Sequence, residues 1–322
     1  MSRNLPRACL ELASSQDGVI SRKQALDNGM SADAIEGLLR TERWQTLRRG
    51  VYLTFTGAPP RAADLWAAVH RAGPDAVLSH QTAAELFKLT DQRSSLIHVT
   101  IGERRRVSPL PGVVIHHSNR LDYAVHPGLQ PRRTRIEETV LDLVGDAVTF
   151  DAAFGIVCAA CQRRLTTSTR LAEALAHRTR IRWRNELREA LGAIDGGVHS
   201  VLEYRYVRRV ERPHGLPAAS RQAKIVVGSR SRYLDNLYSA YGLCVELDGQ
   251  QAHPDDQRWQ DQRRINAITE RGLTTLRYGW TDVARWPCQT AAQIGAVLHQ
   301  RGWPGPVRHC SPACPVSNSA VS

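Results

Sequence analysis

Long apolar runs are missing from this 322-residue chain. No stretch approaches the roughly 20 residues needed to cross a bilayer, and the N-terminus lacks the apolar segment of a secretory signal. The expectation is a soluble, cytoplasmic protein. Cysteine is sparse and odd in number, with seven scattered residues. That count, without a signal segment, argues against a disulfide framework. Cys158-x-x-Cys161 sits in an Ala-rich helical pattern with no second pair, so it reads as helix packing rather than zinc. Cys310 and Cys314 fall in a Ser/Pro-rich stretch, 305–322, that reads as a disordered tail. Lysine is nearly absent: Lys23, Lys88 and Lys224 are the only three among 43 cationic side chains, and the rest are arginine.

What is present is positive charge. The net charge is +12 and the pI about 9.9. Such a cation favours phosphate backbones or anionic surfaces as partners, and arginine has the planar fork suited to bidentate phosphate contacts. The length allows two or three domains and a sizeable core.

Residues 1–58 read as one unit. A helix spans Leu5 to Ser15, and a short extended piece, Gly18 to Ile20, leads to Ser21. Ser21 caps a helix over Arg22–Asn28, stopped by Gly29. Ser31 caps a third helix over Ala32–Arg40, with Ile35, Leu38 and Leu39 on one face. Residues 44–53 alternate as two strands around Arg49-Gly50. This is the order of a winged helix-turn-helix. The I-S-R-x-Q-A start, the G-M-S turn and the W-x-x-L-R-R-G-V-Y hairpin resemble the N-terminal domain of AbiEi-type antitoxins of type IV toxin–antitoxin systems. The resemblance implies promoter DNA binding, with a cognate toxin as a further partner. The third helix would enter the major groove, presenting Ser31, Asp33, Glu36 and Arg40. Arg43, Arg48 and Arg49 would lie at the wing. Two acids on that helix keep open a winged helix used only for protein contacts.

Pro59-Pro60 reads as a linker to a middle α/β region, 61–195. Its S-H-x-T-A-A, I-H-V-T and T-R-x-x-x-T-x-L-D-L pieces resemble the region often attached to such winged helices. His80, His98, His116 and His117 raise the question of a metal. Neighbouring strand residues point to opposite faces, so His116 and His117 do not readily share a site, and ordinary hydrogen-bonded histidines are the expectation. Arg178–Arg188 is the densest basic run. One reading is a helix carrying a phosphate-binding stripe that includes Arg182 and Arg184, with Trp183 interleaved. The other is a solvated helix face with Trp183 and Leu187 buried.

Residues 198–304 carry the chemistry. Ser200 caps a helix bearing Glu203. Strands follow at 222–227, 233–238 and 243–247, then a helix over 257–271, a strand over 274–278 and closing helices. Asp235, Glu246 and Asp248 fall on neighbouring strands, with His253 just beyond. Carboxylates near a sheet centre are costly to bury unless something positive lies between them, and a hard divalent cation such as Mg²⁺ takes oxygen ligands. The pieces Ser200-x-x-Glu203, Gly215-Leu-Pro217, Leu234-Asp235, Val245-Glu-Leu-Asp-Gly249, His253, Asp261-x-x-Arg264 and Leu276-Arg277-Tyr-Gly-Trp280 resemble the DUF559 family. That family is a branch of the PD-(D/E)xK nucleases close to very-short-patch-repair endonucleases.

The resemblance implies a restriction-endonuclease-like mixed sheet flanked by helices. It also implies a metal (Mg²⁺ or Mn²⁺) held by Glu203, Asp235 and Glu246 against a scissile DNA phosphate. Asp248 stands where the wider pattern has lysine, as is usual in this branch. Four carboxylates around one metal are too many, so one should be protonated or turned outward. If Val227 pairs with Arg232, Lys224 lies opposite Asp235 and could supply the displaced lysine. His253 is a candidate general acid or base. Asp261 and Arg264 either pair with each other or orient His253 and the phosphate.

The fold class expected is α+β with an α/β core. The function expected is a metal-dependent DNA endonuclease. The alternative is an antitoxin or transcriptional repressor whose nuclease fold is not catalytic.

Overall fold

Ser21 and Ser31 each begin a helix in the way their hydroxyls allow. Ser21 Oγ accepts from Gln24 N while the Gln24 side chain accepts from Ser21 N, a reciprocal capping box. Ser31 Oγ accepts from Ala34 N, satisfying one amide that the helix cannot. The computed structural model describes residues 5–227, 230–248 and 272–316. It begins with α1 (Arg7–Ser15), β1 (Val19–Ser21), α2 (Arg22–Asp27) and α3 (Ala32–Arg40), followed by the hairpin β2 (Gln45–Arg48) and β3 (Val51–Leu53). The hairpin turns through Gly50 at φ +72°, a left-handed conformation that glycine adopts without steric cost. The strands pair in the order β1-β3-β2. Cys9, Ile20, Ala25, Ile35, Trp44 and Tyr52 meet in the core beneath them. Three helices and a hairpin in this order are the arrangement of a winged helix.

The Pro59-Pro60 breaker ends the hairpin without separating two cores. Pro60 precedes α4 (Arg61–Ala72), whose Ala63, Trp66 and Ala67 pack on Val19, Val51 and Leu53 of the wing sheet. Trp66 Nε1 donates to Asp17 Oδ2 at 3.0 Å. The chain then forms β4 (Val77–Leu78), α5 (His80–Leu86), β5 (Ile97–Gly102), β6 (Val113–Ser118), α6 (Leu121–Ala124) and α7 (Ile136–Asp146). The second sheet runs β4-β5-β6, with β5 and β6 parallel. Two compact units emerge: Met1–Thr149 with Ala159–Arg182, and Phe150–Cys158 with Trp183–Ser322. The helix α8 (Phe150–Gln162) contributes to both, and α9 (Ser168–Ala176) belongs to the first.

The second unit is α+β like the first. It holds α10 (Arg184–Asp195), α11 (Val201–Tyr206) with one turn of π-helix over Val207–Glu211, and the strands β7 (Ser220–Val227), β8 (Arg230–Tyr238), β9 (Leu243–Asp248) and β10 (Thr274–Gly279). The helices α12 (Trp280–Ala284) and α13 (Pro287–Gln300) close it. The sheet order is β10-β9-β8-β7. β7, β8 and β9 are antiparallel, and β10 joins β9 in parallel. Along β9 the side chains alternate. Leu243 and Val245 join Tyr206, Tyr238, Ile294 and Leu298 in one core. Cys244 packs with Leu234 on a second cluster. Residues 305–316, expected to be disordered, follow a defined path on which Cys314 and Val316 are buried. Among the described residues no helix is long and apolar enough to cross a membrane.

A polar network runs through this unit. Glu211 Oε1 accepts from Arg221 Nη2 at 2.5 Å, and both side chains are almost fully buried. Tyr238 donates to Glu211 Oε2 at 3.2 Å and shares a 2.7 Å hydrogen bond with Tyr206. Arg221 also donates to Asn236 Oδ1, whose Nδ2 donates to Val245 O at 3.2 Å. Removing one partner of a buried pair strands the other charge, at a cost of about 3–5 kcal/mol. Glu211→Ala is therefore expected to lower the urea midpoint of this unit by a corresponding amount. A midpoint unchanged from that of the unaltered protein would show that the pair carries no such weight.

Candidate active site

The row of residues next to that network holds the sequence-expected acids. Pairing of β8 with β9 runs from Tyr238↔Leu243 to Asn236↔Val245, so one step further places Asp235 beside Glu246. At that step a side chain takes over from the main-chain ladder: Asp235 Oδ2 accepts from Leu247 N at 2.9 Å. On the other flank Gln222 Nε2 donates to Asp235 Oδ1 at 3.4 Å. Gln222 has φ +47°, a left-handed conformation uncommon outside glycine, asparagine and aspartate. Strain of this kind persists only where the surrounding structure enforces it. Glu246 is 2% exposed, and Cys244 Sγ donates to its Oε1 at 3.3 Å.

Glu203 comes from α11. Its own N–H donates to Ser200 Oγ at 3.1 Å. Its carboxylate accepts from His199 N at 2.9 Å and from Ser200 Oγ at 3.0 Å. These bonds cap the helix and fix the carboxylate. Burial pushes the Glu203 carboxyl above its ordinary range and the negative charge of Asp235 adds to the rise, while the His199 N–H and the Ser200 hydroxyl oppose it. Glu203 and Asp235 are thus close enough to repel. The three acids border one another without converging: among the described residues they form no group whose ligand atoms all lie within 4.8 Å. Hard oxygen donors beside mutually repelling carboxylates are the donor set a divalent cation takes.

The lysine expectation needs correcting. The β7–β8 hairpin closes with Val227 opposite Arg230, so Lys224 faces Tyr233 and Gln222 takes the place opposite Asp235. The turn is two residues tighter than the expected 227:232 pairing, and Lys224 is exposed. Asp248 is exposed at the end of β9, beside Gly279. His253, Asp261 and Arg264 lie outside the described residues.

Among the expected DNA contacts, Ser31, Arg40, Arg43 and Arg49 are exposed or half-exposed, as are Asp33 and Glu36. Arg48 is half-buried and donates to Pro111 O at 3.0 Å. The basic run 178–188 is not one helix, because Trp183 is left-handed at φ +64° and α10 starts only at Arg184. Arg178 is engaged by Glu138 and Asp142. Arg182 donates to the carbonyls of Ala147 and Val148, at 3.2 Å each. Only the segment from Arg184 onward matches the expected helix, with Leu187 buried.

The middle region holds a cluster where ordinary histidines were the expectation. His80 at the start of α5, His98 on β5 and His116 on β6 bring one ring nitrogen each within 4.8 Å of the others. His98 Nδ1 lies 3.0 Å from His116 Nε2, and the His80 and His116 rings stack at 3.6 Å. The face argument holds for His117, which is exposed. It missed His116 finding partners on other elements, a pairing that depends on β5–β6 register. Asp142, Glu138, Arg120 and Arg178 share a cavity of about 370 Å³ with His80 and His116. Such a group has the spacing to hold a transition metal.

Models of known protein families and curated proteins were both searched, and neither gives a match to this chain.

The histidine cluster has a pH consequence. Burial, reinforced by the neighbouring rings, pulls His80 down to about 3 and His116 down to about 4. Their folded-state values lie below the unfolded value of about 6.5, so their stabilisation is present at neutral pH and is lost as pH falls from about 6.5 towards 4. Asp142, pushed up to about 6 by burial against the pull of Arg178, acts with the opposite sign. His98 is lowered as well and Asp146 raised, so three histidines stand against two aspartates, and the large depressions of His80 and His116 set the sign. In EDTA, the urea midpoint of the first unit is expected to fall between pH 7 and pH 4.5, and His80→Gln should flatten that fall. A midpoint that rises on acidification would contradict this account.

Proposed function

We propose that this protein is a metal-dependent DNA endonuclease with a winged helix as its targeting device. The observation that carries the reading is the row Gln222, Asp235 and Glu246, with Glu203 brought beside it by α11. Glu203, Asp235 and Glu246 would hold Mg²⁺ or Mn²⁺. When bound, the cation would neutralise charge developing on the scissile phosphate and lower the pKa of the attacking water. The chain's own part is positioning. The Leu247 amide and the Gln222 amide aim the Asp235 carboxylate, and the Ser200 cap aims Glu203. The excess of arginine supplies the field that draws a polyanion.

The second reading, a DNA-binding antitoxin or repressor with a non-catalytic nuclease fold and a toxin as partner, is favoured by the solvent-facing Ser31, Arg40, Arg43 and Arg49 on the winged helix. Protein and supercoiled plasmid with Mg²⁺ or Mn²⁺ decide between the two. Nicking by the unaltered chain, absent in Asp235→Asn, is the expected result. Gln222→Ala, which removes a group orienting a ligand, should lower the rate about 10- to 100-fold. Salt-dependent binding to its own promoter without cleavage would sink the enzyme reading. In that event Arg40→Ala with Arg49→Ala should weaken binding and make its salt dependence shallower, by about one unit of slope for each phosphate no longer neutralised.

A further inference from the structure

We infer that the second unit carries a structural zinc site formed by His214, Cys288, Cys310 and Cys314, which ties the C-terminal segment to the domain. The four residues come from three separate parts of the chain. His214 follows the π-turn after α11, Cys288 lies in the first turn of α13, and Cys310 and Cys314 form a C-x₃-C in the segment beyond it. One ligand atom from each lies within 4.8 Å of every other.

Two edges of the group have the lengths of a metal tetrahedron. Cys288 Sγ and Cys310 Sγ are 3.6 Å apart, and Cys314 Sγ is 3.7 Å from His214 Nε2. A tetrahedral zinc with Zn–S of about 2.3 Å and Zn–N of about 2.0 Å has edges of roughly 3.5–3.8 Å. The thiols are free rather than joined.

The histidine is oriented as a ligand would be. His214 is 0% exposed, and its Nδ1 lies 2.9 Å from Val210 O. A carbonyl only accepts, so Nδ1 carries the proton, and Nε2 turns its lone pair to the thiols. A ligating histidine commonly holds its second nitrogen on a carbonyl in this way, which fixes the tautomer. Three thiolates and one imidazole are the soft donor set that selects zinc over Mg²⁺. With four protein ligands the site is closed, as structural zinc sites are.

Residues 304–316 form no helix or strand and include Pro304, Pro306, Pro312 and Pro315. Arg308 N donates to His214 O at 2.8 Å, and Val307 packs against the main core. Beyond that point the buried residues are Cys314 and Val316.

The test is elemental analysis of the full chain, purified untagged and reduced without chelator. About one equivalent of zinc is expected. Cys314→Ser and His214→Asn should each lose it, while His80→Ala, which removes a ligand atom of the other cluster, should keep it. Cobalt loaded in place of zinc should show the visible bands of a tetrahedral thiolate complex. That readout needs no variant, so it stands even if a variant misfolds. A folded chain that contains no zinc and gives no such cobalt spectrum would overturn the inference. So would zinc retained by both ligand variants when each also carries His80→Ala, which disables the histidine cluster, or a Cys288–Cys310 disulfide found by mass spectrometry of unreduced peptides.

Discussion

The buried Glu211–Arg221 pair is the fixed point of the second unit. Arg221 lies on β7 opposite Asn236 of β8, and Asn236 reaches the carbonyl of Val245 on β9. One ion pair therefore ties the helix leading out of α11 to three strands in a single row. The candidate site is the next row: Gln222, Asp235 and Glu246 each follow or precede a member of the network by one residue. Side chains one apart on a strand point to opposite faces. That alternation does not run unbroken through this row: Leu234 and Leu237, three apart on β8, share one cluster. The left-handed Gln222 marks where that regular exchange breaks, and the Asp235 carboxylate takes over the Leu247 amide at the same point.

Buried carboxylates recur, and the first unit handles them in the same way. Glu138 takes Arg120 and Arg178. Glu137 takes Arg170 and the Thr166 hydroxyl. An unpaired carboxylate in a low-dielectric interior is too costly to retain, and arginine can meet two oxygens at once. Several of the arginines are consumed inside the protein. Arg178 and Arg182 show this most clearly: in sequence they head a cationic stripe, but in space they neutralise acids and cap carbonyls. The number of arginines therefore overstates the cations available to a phosphate backbone, while the net charge of +12, which already subtracts the acids, is unchanged by these pairs.

What is legible in the sequence follows from range. Capping serines, helix periodicity and strand alternation are local, so α2, α3, α11 and β7 to β10 are legible to within a few residues, as is the wing hairpin. The assignment of Glu203, Asp235 and Glu246 to one neighbourhood is legible because a helix and two strands lie close in sequence. Register is not. A hairpin two residues tighter than supposed replaces Lys224 by Gln222 opposite Asp235. Nor are long-range meetings legible: His116 finds His98 through a parallel pairing, and Cys288 finds Cys310 across a helix. The proline pair at 59–60 misleads for a related reason, since a breaker ends an element but says nothing about what α4 packs on.

The two metal sites proposed for the second unit draw on different chemistry, and this keeps them separate. Glu203, Asp235 and Glu246 offer hard oxygens, which suit a cation that exchanges water and meets a phosphate. His214 and the three cysteines offer soft donors with no open position, which suit a cation that never meets substrate. The polypeptide links them directly. Glu203 opens the helix that runs through Glu211 towards His214, so one end would face chemistry while the other is anchored. Fixing His214 through such a site would limit how far that helix can slide along its axis, and with it how far Glu203 can move from Asp235. An anchor at the far end of the helix is therefore a direct way to hold a carboxylate that its neighbour repels.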